Sequence, residues 1–127
     1  MSDLVRVAVD AMGGDYAPAE PVKGAVEAVN ADERVKVQLV GQVDVIEKEL
    51  QKYTYPKERV EIVPATEIIE TGEPPVNAIR HKKDSSIVVG MKKVRYGEAD
   101  AFVSSGSTGA VLVGGQTIVA VSYTHLT

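Results

Sequence analysis

The chain has 127 residues, 44% of them apolar and 25% charged, with a net charge of −4; this is the size and balance of one globular domain or part of a larger one, with no electrostatic footprint for nucleic acid. There are no cysteines, which excludes disulfides, thiolate metal sites and a cysteine nucleophile within the chain. No apolar run is long enough to span a bilayer and the first residues lack the regions of a signal peptide, so a cytoplasmic location is expected.

With no Trp and a single Phe, the core must be aliphatic, as suits a buried parallel sheet. Val5 to Asp10 is apolar except for Arg6 and reads as a strand, followed by a loop that carries Gly13, Gly14 and Asp15. Pro21 is expected at a first helical position. Val22, Ala25, Val26 and Val29 then form a helical stripe. Gly24 inside that helix costs stability relative to Ala, which suggests a close backbone approach. Val35 to Val40 is a second strand, ended by Gly41. Asp44 with Glu47 three residues on resembles a capping box, and Ile46, Leu50 and Tyr53 continue a helix that Pro56 ends. Val60 to Val63 is a third strand. Ala65 to Pro75 is irregular and acidic, and a short helix is expected from Val76 to Arg80. Asp84 or Ser85 can cap the next helix, whose apolar members are Ile87, Val88, Met91 and Val94. Gly97 ends it, Ala101 to Val103 is a fourth strand, and the apolar run after Gly109 reads as a last helix.

Strands alternate with helices and no hairpin signal appears. This predicts an α/β fold: an open parallel sheet with flanking helices and right-handed crossovers. After Gly115 the chain stops before another strand can form, so it reads as a truncated domain with an exposed sheet edge.

The stretch from Asp100 to Gly115 is strand, Gly/Ser turn, helix. That arrangement points free backbone N–H groups at an anion, and hydroxyls add donors while glycine lets the ligand approach. Ser104, Ser105, Gly106, Ser107, Thr108 and Gly109 are the candidate donors for a phosphate or oxyanion; the competing reading is a tight turn with a helix cap. A related turn holds Asp10, Gly13 and Gly14. The two turns are expected side by side at the C-terminal rim of one sheet, where α/β folds place their ligands. Asp10 reads equally as a carboxylate that orients a cleft group or accepts a proton and as a loop anchor bonded to the N–H of Met12 or Gly13. Asp15 is expected to be structural, because a second acid would repel phosphate. Asp10 and Asp15 could together hold a metal, but two ligands with no histidine partner make a thin case, and no metal is expected.

Val7 to Pro18 (Val-Ala-Val-Asp-Ala-Met-Gly-Gly-Asp-Tyr-Ala-Pro), Arg80 to Ser86 (Arg-His-Lys-Lys-Asp-Ser-Ser) and Ala99 to Ala110 (Ala-Asp-Ala-Phe-Val-Ser-Ser-Gly-Ser-Thr-Gly-Ala) together resemble the bacterial fatty acid/phospholipid synthesis family PlsX, the phosphate acyltransferases, in the same order and at similar spacing. The resemblance runs from Leu4 to about Val119. It implies transfer of a fatty acyl group from acyl carrier protein to inorganic phosphate, giving acyl phosphate for phospholipid synthesis, with no cofactor. It implies a fold related to isocitrate dehydrogenase and phosphotransacetylase. It also implies a cytoplasmic homodimer peripheral to the inner face of the membrane, next to the downstream glycerol-3-phosphate acyltransferase. Residues 1–120 are then the N-terminal part of such a domain. The tail from Val121 to Thr127 departs from the family's continuation, as foreign or frame-shifted sequence would, and His125 within it is discounted. The family's chain is more than twice as long, so the rest of its cleft is missing here.

The chemistry fits these residues. Phosphate is already nucleophilic, so acyl transfer to it needs orientation and oxyanion donors rather than a covalent intermediate on the protein. Arg80, Lys82 and Lys83 read either as a solvated basic run or as partners for phosphate or the acidic carrier protein. Lys82 or Lys83 is the better candidate for the cleft, with the hydroxyls of Ser85 and Ser86 nearby. His81 reads as a surface residue, since no Ser/His/Asp spacing supports a triad. Two other readings compete. A nicotinamide dehydrogenase would need a Gly-x-Gly-x-x-Gly turn, which is absent. An inactive fragment or simple anion-binding module would use the same turns without catalysis.

Overall fold

The computed structural model describes residues 4–119. Four strands form one all-parallel sheet: β1 (Val5–Asp10), β2 (Val35–Gly41), β3 (Val60–Pro64) and β4 (Ala101–Val103), in the order β3-β2-β1-β4. Five helices connect or follow them: α1 (Ala19–Ala31), α2 (Val43–Leu50), α3 (Pro75–His81), α4 (Ser86–Arg95) and α5 (Thr108–Gly114). A 3-10 turn at Lys57–Arg59 leads into β3, and α5 runs on as a π-helical segment, Gly115–Val119. The expected α/β architecture is therefore observed. The tail from Val121 to Thr127 lies outside the described residues.

Alternation along the strands sorts side chains between two faces. On one face, Val22, Ala25, Val26 and Val29 of α1 and Ile46 and Leu50 of α2 pack on Val37 and Leu39. Leu39 and Ile46 are fully buried, and each such side chain contributes about 1.5–3 kcal/mol. On the other face, Ala8, Val40 and Val63 meet Phe102, Val89 and Val94. Beyond them, Ile87, Val88 and Met91 of α4 join Ala78 of α3 and Ala110 of α5. Phe102 lies so close to α4 that a Cβ on Gly90 would collide with its ring. Here the glycine is required by a close approach.

The chain steps from β1 to β2 to β3 on one side, then returns to pair β4 with the other side of β1. Strand order therefore reverses between β1 and β4. Open α/β sheets bind ligands in the crevice at such a point, outside the C-terminal ends of the strands. The opposite rim is clamped by Arg6, whose guanidinium pairs with Asp100 at 3.2 Å while its backbone exchanges bonds with the same residue.

Several local expectations change. α1 begins at Ala19, so Pro21 is its third residue; the missing N–H is still one of the first four that have no intrahelical acceptor. Gly24 makes no close approach, because nothing lies within 4 Å of where its Cβ would be. Asp44 is not a cap: α2 starts at Val43 after Gln42, with no side-chain cap. α2 ends at Leu50 rather than near Pro56, and Tyr53 reaches the core from beyond the helix. Ser85, not Asp84, caps α4, its Oγ accepting from Val88 N at 3.2 Å. Asp84 turns instead to Thr66, accepting from its hydroxyl at 2.6 Å and its N–H at 3.0 Å. The irregular acidic stretch is thus pinned to the start of α4, where Glu67 and Ser85 also bridge. Gly97 ends α4 as expected. With φ at 75°, it lets Gly97 N reach Val94 O and Glu98 N reach Lys93 O, which satisfies the last carbonyls of the helix.

A candidate anion site at the β1–β4 rim

β1 and β4 run parallel in register, Val7 beside Ala101 and Val9 beside Val103. Asp10 and Ser104 therefore emerge together, one at the end of β1 and the other just past β4. Ser104 Oγ donates to Asp10 Oδ2 at 2.7 Å and accepts from Gly106 N at 3.0 Å. The other carboxylate oxygen, Oδ1, accepts from Met12 N at 3.0 Å. Asp10 is 2% exposed, so these bonds replace the water it has lost. The loop-anchor reading of Asp10 holds, and the anchor also reaches the second turn.

The backbones of the two turns touch. A Cβ at Gly13 would lie 2.9 Å from Gly106 N and collide with the Asp10 carboxylate. A Cβ at Gly106 would meet Ser104 Oγ at 3.2 Å and Gly13 Cα at 3.3 Å. Gly14 has φ at 95°, in the left-handed region, and packs on Ser105. The expected juxtaposition of the turns is what the structure has.

The predicted donors divide by what they already bond. Ser104 Oγ and Gly106 N are engaged with each other and with Asp10. Ser107 is buried and caps α5, its Oγ accepting from Ala110 N at 3.2 Å. Gly109 packs on Pro75 of α3. Ser105 and Thr108 are exposed at the rim. The first N–H groups of a helix have no intrahelical acceptor, and in α5 those belong to Thr108 and Gly109.

The basic cluster is not gathered into this cradle as a unit. Lys82 Nζ donates to Glu73 at 2.6 Å and to Ile68 O at 2.8 Å. The ammonium lies on the acidic loop, and together with the Glu70 N–H it holds the Glu73 carboxyl below its usual range. Arg80, His81 and Lys83 are exposed. Ser85 and Ser86 are buried at the start of α4. Asp15 is exposed at the mouth of the neighbouring cavity.

That cavity was not foreseen. It has a volume of about 460 Å³ and runs from the Asp10–Ser104 rim between α1 and the β1–β4 edge of the sheet. Sequence periodicity marks which residues of α1 face the core, but gives no sign that Gly24 and Ala28 wall a groove. The register of β4 on β1 is what places Val7, Val9 and Val103 on its floor.

The family model described as "Fatty acid synthesis protein" matches residues 5–123. Among curated relatives, the phosphate acyltransferase of Alkaliphilus oremlandii is 49% identical over 91% of this chain and 34% of its own length. The phosphate acyltransferase of Halothermothrix orenii is 48% identical over 87% of this chain and 33% of its own. That of Syntrophomonas wolfei is 51% identical over 84% of this chain and 33% of its own. The chain thus spans about a third of the length of the curated relatives it matches.

Proposed function

The chain belongs to the fatty acid synthesis protein family, and from that premise we propose that it carries the phosphate-side half of the cleft of a phosphate acyltransferase. The reaction is transfer of a fatty acyl group from acyl carrier protein to inorganic phosphate. A phosphate oxygen attacks the thioester carbonyl carbon, a C–O bond forms, the tetrahedral oxyanion collapses, and the C–S bond breaks. The sulfur leaves with its electron pair and takes up a proton, so the products are acyl phosphate and free carrier-protein thiol. Acyl phosphate then feeds phospholipid synthesis.

One observation carries this reading: the Asp10–Ser104 bond, with Gly13 against Gly106, at the reversal point of a parallel sheet. Asp10 and Ser104 hold the two turns in place. Ser105, Thr108 and the first N–H groups of α5 serve as donors to phosphate or to the developing oxyanion. Preorganised donors of this kind are worth about a hundredfold or more in rate each. Gly13 lets the two turns close on each other, and Gly14, at positive φ, brings the first turn against Ser105. The exposed Arg80 and Lys83 meet the acidic carrier protein, and Lys82 shapes the loop beneath them. Among the described residues no helix is long and apolar enough to cross a membrane. The protein works as a cytoplasmic homodimer peripheral to the membrane, beside the glycerol-3-phosphate acyltransferase that consumes its product.

The test is direct. The full-length Alkaliphilus oremlandii relative is mixed with palmitoyl–acyl carrier protein and phosphate, and acyl phosphate is trapped as the hydroxamate. Alanine at the positions that match Ser105 and Thr108 should lower kcat by about a hundredfold or more in each case. Unchanged turnover in both would remove the rim from the reaction.

A further inference from the structure

We infer that the groove between α1 and the β1–β4 edge is a site for a fatty alkyl chain whose head group lies at the Asp10–Ser104 rim. This rests on the phosphate acyltransferase reading for its head group and adds where the chain of the substrate goes.

The groove is continuous with the rim, since Asp10, Gly13, Gly14, Ser104 and Ser105 line the same cavity of about 460 Å³ as Val7, Val9, Gly24, Ala28 and Val103. That volume is within the range of small-molecule sites, about 300–1,000 Å³, which combine apolar walls with a few polar groups at one end. Here the polar groups are all at the mouth, where Asp15, Tyr16 and Glu20 join the rim residues. The remaining lining is Val, Ala, Gly and Pro, so the body offers no hydrogen bond and selects an apolar occupant. Val103 is 54% exposed on its floor, an apolar surface that a bound chain would cover.

α1 is shaped for this. Gly24 and Ala28 are one turn apart, and a Cβ on Gly24 would meet nothing within 4 Å. Glycine therefore has no packing reason to be there, although it costs helix stability of about 1 kcal/mol against Ala. What its absent side chain leaves is groove volume. From Pro21 to Ala28 the wall extends about 10 Å at 1.5 Å per residue, so several methylenes of a chain anchored at the rim lie against it.

The experiment compares methylphosphonate with dodecylphosphonate below its micelle concentration, followed by amide shifts in the uniformly labelled chain. Dodecylphosphonate should shift Gly24, Ala25, Ala28 and Val103, while methylphosphonate shifts the rim alone. Affinity should rise up to about fourfold for each methylene buried. Gly24→Leu and Ala28→Leu, both at exposed helix positions, should each cut the dodecyl advantage at least tenfold and leave methylphosphonate binding unchanged. A dodecyl advantage that is absent in the wild type, or that survives both variants, overturns the site. Groove amides that shift with protein concentration alone would mean that a second copy fills it, and overturn it too. If methylphosphonate leaves the rim unmoved while dodecylphosphonate still marks the groove in a Gly24-dependent way, the alkyl site stands and the phosphate reading falls.

Discussion

Ser104 Oγ donates to Asp10 Oδ2 at 2.7 Å across 94 residues of sequence, and so ties the turn after β4 to the turn after β1. Because Asp10 is buried and Ser104 also accepts from Gly106 N, one hydroxyl satisfies two groups. Ser104→Ala should therefore cost more than a surface change. Leaving a buried carboxylate oxygen and a backbone N–H without that partner costs about 1–3 kcal/mol. Urea unfolding measures it; a loss below about 0.5 kcal/mol would mean that the bond does not hold the turns.

The close contact of the turns predicts a contrast among glycines. Gly13→Ala places a Cβ against the Asp10 carboxylate and Gly106 N and should destabilise by about 1–3 kcal/mol through overpacking. Gly24→Ala meets open space in the middle of α1 and should stabilise by about 0.5–1 kcal/mol. Thermal melts of the two variants should move in opposite directions, and shifts of the same sign would contradict the packing described.

Much of this was legible in the sequence because it is local. The apolar spacing of Val22, Ala25, Val26 and Val29 located α1, and all four are buried. Strand ends rich in Gly and Ser marked the rim. Gly24 was misread because a helical glycine signals either contact or open space, and spacing alone does not distinguish them. The start of α2 was misread because Asp44, a good capping type, falls one residue inside a helix that has no side-chain cap. The Lys82–Glu73 pair and the Asp10–Ser104 bond depend on chain reversal, which periodicity does not encode.

Lys82 and Lys83 should separate in their effects. Lys82→Ala removes the ion pair with Glu73 and the bond to Ile68 O, so amide exchange should quicken through residues 67–74. Lys83→Ala, exposed, should leave exchange unchanged and, in a full-length relative, raise KM for acyl carrier protein with kcat held. Equal exchange in both variants would show that the Lys82 contacts do not order the loop.

Acid should loosen the chain in a defined direction. The Arg34 side chain and N–H hold Asp32 at about 2, against 3.8 for the ordinary group. Bonds from Arg6 lower Asp100, bonds from Thr66 lower Asp84, and Lys82 lowers Glu73. The unfolded chain protonates these carboxylates at higher pH than the folded chain does. Their stabilisation is therefore complete above about pH 5 and is lost as pH falls from about 4 towards 2. These groups sit near the surface, so each effect is small. Tm should be flat from pH 7 to 5 and then fall, and Asp100→Asn should make that fall shallower. A Tm that rises on acidification would contradict the pairing.

An anion should bind where the two turns join. The cavity beside them is lined by Asp10, Asp15 and Glu20 and by no Lys or Arg, so binding by this chain alone should be weak, with Kd in the millimolar range or above, no more favourable than about −4 kcal/mol. Titrating inorganic phosphate into the labelled chain at constant ionic strength measures this residue by residue. Saturable shifts centred on the amides of Ser105, Thr108 and Gly109, with Gly13 and Gly14 following, are the expected result. Shifts that centre elsewhere, or that sodium sulfate and sodium chloride reproduce equally at every site, would contradict it.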